Sequence, residues 1–218
     1  MEFVEEALRF LGAGEGAPES LRQSVARTAE RLSQAARPRW VYRAFALEKA
    51  EGRCFLPEAG LELPGETARV MLSECRGAVL LACTIGAAFE GLLRTEQARD
   101  MGRAVILDAC GSALVEAGCD AAERELAGLF PGAYLTDRFS PGYGDLPLDC
   151  QPGLCAALDA ERRIGLHVTA SFLLNPSKSV TAVLGVADRP QMRRIRGCDF
   201  CAMNQACALR KKGTTCAL

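Results

Sequence analysis

Apolar residues at Phe3, Ala7, Leu8 and Leu11 share one helical face, and Glu2, Glu5, Glu6 and Arg9 lie opposite, which predicts an amphipathic helix over residues 2–11. Gly12–Pro18 is rich in breakers, after which Leu21, Val25, Ala29, Leu32 and Ala36 recur at three-to-four spacing and predict a second helix ending before Pro38. Residues 40–47 and 60–63 read as strands, the latter running into a Pro64-Gly65 turn, and residues 66–75 read as a helix. The apolar run Ala78–Thr84, bounded by Gly77 and Gly86, suits a buried strand. From Ala87 to Leu129 the chain is proline-free and rich in Ala, Leu and Glu, predicting one or two long helices. Its glycines at 91, 102, 111 and 118 point to close helix packing or a break near Gly102. Pro131 and Gly132 close that region; residues 134–139 are expected to be extended, 140–147 a Gly/Pro loop, and 154–164 a helix stopped by Gly165. Ser179–Ala187 is β-branched and lies between Pro176 and Pro190, hence a strand. Helices and strands mix without regular alternation, so the fold class is α+β.

Composition narrows the function. Twenty-six Lys+Arg against twenty-seven Asp+Glu leave a net charge of −1, so no broad basic field is available to hold nucleic acid or an anionic membrane. No apolar run approaches the ~20 residues a bilayer span needs, and the acidic start lacks the basic and apolar regions of a secretory signal, so the expected compartment is the cytoplasm. Of the 11 cysteines, seven (Cys54, Cys75, Cys83, Cys110, Cys119, Cys150 and Cys155) are scattered, mostly among apolar neighbours, and read as small buried hydrophobes. Cys198, Cys201, Cys207 and Cys216 instead crowd into the last 21 residues. Four thiolates are the number a tetrahedral zinc or an iron–sulfur cluster needs; their spacing matches neither a ferredoxin run nor a zinc ribbon, so cluster, zinc and unmetallated redox thiols all stay open. Residues 1–190 are expected to form one domain and residues 191–218 a Cys-rich tail with a basic surround.

Two motif-like features carry little. Gly12-Ala13-Gly14-Glu15-Gly16 has the look of a nucleotide loop, yet such a loop must follow a buried strand and here a helix precedes it, so a helix-to-helix turn is expected. His167 is the only histidine, which excludes mechanisms needing two, and no G-x-S-x-G elbow accompanies it. The informative stretch is Arg138-Phe-Ser140-Pro141-Gly142-Tyr143-Gly144-Asp-Leu-Pro147, followed by Thr169-Ala-Ser171-Phe172-Leu-Leu-Asn-Pro176-Ser-Lys-Ser179-Val180-Thr181. A loop with Pro141, Gly142, Gly144 and Pro147 is stiff and low in side-chain bulk, leaving backbone groups to face a ligand. Arg138 suits a bidentate bond to a carboxylate, and the Tyr143 ring suits a flat or cationic group.

Together, R-x-x-x-G-Y-x-x-x-P and T-x-S-F-x-x-x-P-x-x-S-V-T resemble the activation domain of cobalamin-dependent methionine synthase, over roughly residues 105 to 187. The helical segment Ala113-Leu-Val-Glu116-Ala117 is similar to the family's stretch bearing a cofactor-facing glutamate. The resemblance implies a C-shaped α+β domain with a mainly antiparallel sheet. It implies S-adenosylmethionine as ligand, with Arg138 on its carboxylate and Glu116 on its ammonium. Tyr143 and the backbone of Ser140, Pro141, Gly142 and Gly144 would hold the sulfonium and adenosyl portions. The implied role is to support reductive methylation of cob(II)alamin on a partner, a methionine synthase lacking its own activation domain, with an electron from a separate donor protein or through the cysteine tail. The chain would then be a component of a methyltransferase system rather than a complete enzyme. The cobalamin signature D-x-H-x-x-G would need Asp at Gly165 and Gly at Ala170, so the corrinoid is expected on the partner. One departure stands out: where the family has P-D-H after G-Y, this chain has Pro147-Leu148-Asp149. The alternative reading is a metal- or cluster-bearing redox adaptor of a corrinoid methyltransferase system. An independent methyltransferase lacks an evident general base.

Overall fold

The computed structural model describes residues 2–191 of the 218-residue chain. In chain order the elements are α1 (Glu2–Phe10), α2 (Glu19–Ala35), β1 (Arg39–Ala46), β2 (Glu48–Ala50), β3 (Arg53–Leu56), β4 (Leu61–Leu63), α3 (Glu66–Met71), β5 (Cys75–Thr84) and α4 (Ala88–Arg99). There follow α5 (Met101–Leu129), β6 (Tyr134–Leu135), α6 (Gln151–Leu158), α7 (Ala160–Ile164), β7 (His167–Val168), β8 (Leu174–Asn175) and β9 (Ser179–Ala187). One sheet has the order β1-β5-β9-β6, a second β2-β3-β4, and β7 pairs with β8. The β2-β3, β3-β4, β6-β9 and β7-β8 pairs are antiparallel. The α+β class expected from the sequence is what the structure has. Among the described residues no helix is long and apolar enough to cross a membrane.

The chain gathers into two compact units. The first takes the chain up to Val41, Ala82–Glu125 and Cys155–Val180; the second takes Tyr42–Leu81, Leu126–Leu154 and the chain from Thr181 on. The first unit's core joins α1, α2, α4, α5 and the end of β5 through Leu8, Val25, Leu32, Cys83, Phe89, Leu107 and Cys110. The glycines of α5 mark close packing. A Cβ on Gly118 would lie 2.6 Å from Pro38 Cβ and 2.8 Å from Cys83 Sγ, and one on Gly111 would meet the Phe89 ring at 2.5 Å. The break expected near Gly102 falls at Asp100. Asp100 is extended (φ −158°, ψ 106°), and its Oδ1 accepts the N–H groups of Gly102 (2.9 Å) and Arg103 (3.2 Å), which caps α5. Gly14–Gly16 forms a single 3-10 turn after α1, the helix-to-helix connection expected of it.

In the second unit, Leu56, Leu63, Ala68, Met71, Leu72 and Cys75 are buried between the β2-β3-β4 sheet, α3 and the start of β5. The expected helix over 66–75 stops at Met71. Beyond it the Lys49 ammonium takes the carbonyls of Ser73 (2.9 Å) and Cys75 (2.8 Å), and Cys75 already opens β5. The expected helix over 154–164 starts earlier, at Gln151, and is broken at Asp159, whose φ of 50° is left-handed. Strands β2, β3, β7 and β8 were not expected; none exceeds four residues, too short for a period to show.

Candidate functional site

Arg138–Gly144 lies in the second unit, and its shape follows from local chemistry. Phe139 and Val183 exchange both backbone hydrogen bonds (3.0 and 2.8 Å), which fastens the loop's incoming arm to β9. Just before it, Thr136 is held in the same way: its Oγ1 accepts Gly185 N–H at 2.8 Å while donating to the Asp137 carbonyl at 3.0 Å. Gly185 is required there, because a Cβ would meet Cys75 Sγ, Thr136 Cγ2 (2.9 Å) and Leu72 Cδ2 (3.0 Å).

Beyond Phe139 the chain makes two turns in succession. Tyr143 N–H donates to the Ser140 carbonyl at 3.0 Å, with Pro141 and Gly142 at the central positions. Gly142 has a φ of 88°, the left-handed value that the third position of a type II turn requires and that proline at the second position favours. Leu146 N–H then donates to the Tyr143 carbonyl at 3.1 Å, and Gly142 N–H to the Leu146 carbonyl at 2.7 Å. Pro141 is buried, Arg138, Ser140 and Tyr143 are half-buried, and Gly142 and Gly144 are exposed. The loop thus presents bare backbone at two glycines, flanked by a guanidinium and a phenol ring.

The outgoing arm carries the feature that sequence reasoning missed. The Asp145 carboxylate accepts the backbone N–H groups of Glu66 (2.6 Å) and Thr67 (2.8 Å), and Asp145 N–H donates to Thr67 Oγ1 at 3.3 Å. Bonds from the Thr67 backbone and hydroxyl, then from the Glu66 backbone, hold the Asp145 carboxyl down at about 2, against an ordinary 3.8. Helix α3 begins after Gly65, which has no side chain to cap it, so the acceptor comes from the loop. The only sequence signal was a Pro-Gly pair opening a helix without a capping side chain.

Glu116 belongs to the first unit, half-buried on α5. His167 is exposed on β7, with Nε2 3.0 Å from the Asn175 amide nitrogen. None of the seven scattered cysteines forms a disulfide and all are buried, as expected, and burial pushes Cys110 up to about 12 and Cys155 to about 11. Cys198, Cys201, Cys207 and Cys216 lie outside the described residues. Among the described residues no three His, Cys, Asp or Glu side chains are grouped to hold a metal.

No protein-family model matches the chain, and no curated protein matches it. A solved structure does. The MetH reactivation domain bound to AdoHcy superposes with a TM-score of 0.61 at 16% identity, covering 94% of this chain and 75% of that one. The likeness establishes the fold: this chain has the α+β architecture of the MetH reactivation domain.

Proposed function

We propose that this protein binds S-adenosylmethionine and supports the reductive methylation of cob(II)alamin on a partner methionine synthase. The observation that carries the reading is a coincidence of two independent features. The Arg138–Gly144 loop offers a guanidinium suited to a carboxylate, a phenol ring suited to a sulfonium and two exposed glycines, and it belongs to a fold whose solved neighbour holds AdoHcy. AdoHcy is what remains of S-adenosylmethionine after methyl transfer, so one site shape serves both. Arg138 would take the carboxylate, Tyr143 would lay its ring toward the sulfonium, and the Ser140–Gly144 backbone would meet the adenosyl portion. The assignment of Glu116 to the ammonium rests on the family resemblance. The bound ligand supplies a methyl group, and an electron from a separate donor completes the conversion of cob(II)alamin to methylcobalamin.

The four tail cysteines are proposed as ligands of an iron–sulfur cluster or zinc; a cluster would make the tail a route for that electron. Calorimetry with S-adenosylmethionine tests the central claim. The parent should bind, and Arg138→Ala should weaken binding by about 1.5–3 kcal/mol, the range for a hydrogen bond to a charged group. Glu116→Gln should weaken it as well. A parent that shows no binding favours the adaptor reading instead; a folded Arg138→Ala variant with unchanged affinity removes Arg138 from the site.

A further inference from the structure

Two segments interlock where the loop meets α3. Gly65 has a φ of 96°, and a Cβ there would stand 2.7 Å from Asp145 Oδ1; Gly144 has a φ of 58°, and a Cβ there would strike Thr67 Oγ1. Each glycine leaves room for the other segment's side chain. Asp145 thereby satisfies two of α3's otherwise orphaned N–H groups, while Thr67 satisfies Asp145's own. The loop is therefore fastened at two points, by Phe139 on β9 and by Asp145 on α3. Between the two fastenings lie Ser140 to Gly144, the backbone assigned to the ligand.

We propose that Asp145 is a positioning residue that fixes the Ser140–Gly144 backbone in its binding shape before the ligand arrives. The inference rests on the reading of this loop as the S-adenosylmethionine site and adds a residue the family resemblance did not supply. A loop held in advance loses less conformational freedom on binding, so affinity should depend on a side chain assigned no ligand contact. The carboxylate is suited to the task because it accepts two N–H groups at once. An asparagine in its place offers one amide oxygen, and its NH₂ group cannot accept at all.

The full chain, as Asp145→Ala and Asp145→Asn, is tested by calorimetry with S-adenosylmethionine and by amide hydrogen exchange at Glu66, Thr67, Gly142 and Leu146. Asp145→Ala should weaken binding roughly tenfold and speed exchange at all four amides, with Asp145→Asn recovering part of both. Where Asp145→Ala unfolds early, Asp145→Asn is the variant read. A pH profile separates the carboxylate's charge from bulk structure. The depressed carboxyl makes its contribution complete above pH 3.8 and lost as pH falls toward about 2. The Glu66 carboxylate, paired with Arg69, faces Asp145 and is itself held below its ordinary range. The readout is therefore the difference between the two proteins, with parent protection at Gly142 falling more steeply in that window than that of Asp145→Asn. Parent-like affinity in both variants overturns the positioning role while leaving the ligand site intact. Should the parent bind no S-adenosylmethionine, the functional reading fails by itself; exchange at Gly142 then decides the clamp, and unchanged exchange there overturns it.

Discussion

All seven scattered cysteines are buried in the fold. Cys83 and Cys110 aim their thiols at the backbone carbonyls of Val115 (3.8 Å) and Val25 (3.9 Å), and Cys54 at that of Ala68 (3.9 Å). Burial raises Cys110 to about 12 and Cys155 to about 11, so near pH 8 almost none of either is thiolate. Native protein treated with iodoacetamide at pH 8 should carry no label on Cys110 or Cys155 by peptide mass spectrometry, and both should label once denatured. Label on either in the native state would contradict its burial. Their burial was legible in the sequence from apolar near neighbours, Ala109 and Ala113 around Cys110 and Leu154 and Ala156 around Cys155, whereas the carbonyls that Cys83 and Cys110 meet lie 32 and 85 residues away. Asp145 was not legible, since its partners lie 78 and 79 residues away and nothing in Gly-Tyr-Gly-Asp names them.

At the scale of elements, the strongly periodic helices, the two long buried strands and the break near Gly102 could be read from the sequence, whereas what makes that break could not. The glycines of the long helical stretch suggested close packing or a break near Gly102; Gly111 and Gly118 serve the packing, and a capping aspartate two residues before Gly102 makes the break. Gly118 and Gly91 therefore predict opposite signs for the same substitution. Alanine has about 1 kcal/mol better helix propensity than glycine. At Gly91 nothing lies within 4 Å of the added methyl, so Gly91→Ala should gain up to that amount. At Gly118 the methyl would strike the proline ring of Pro38 and the sulfur of Cys83, neither the end of a flexible chain, and overpacking of about 1–3 kcal/mol outweighs the propensity. Urea unfolding of the two variants checks this. Equal shifts would show that the packing around α5 yields more readily than its geometry implies.

Across the whole molecule, each compact unit is assembled from three separated stretches of chain, so no composition boundary marks where one ends. The fold was legible chiefly because two motifs between residues 138 and 181 resemble one family; no such motif covers the first hundred residues. The remaining question is where a metal would reside, and here the described residues act as a control. Their cysteines are buried, and no group of three ligating side chains occurs among them. Tightly bound metal would therefore trace to Cys198, Cys201, Cys207 and Cys216, four thiols within 19 residues. Protein purified without oxygen or chelator should contain near-stoichiometric iron with sulfide, or zinc, lost when Cys201 and Cys207 are changed to serine. Metal that survives both substitutions would place the site elsewhere. Zinc alone would remove the tail from electron transfer, since zinc has no redox change to offer, and would leave the proposed S-adenosylmethionine binding at the Arg138–Gly144 loop to stand on its own binding data.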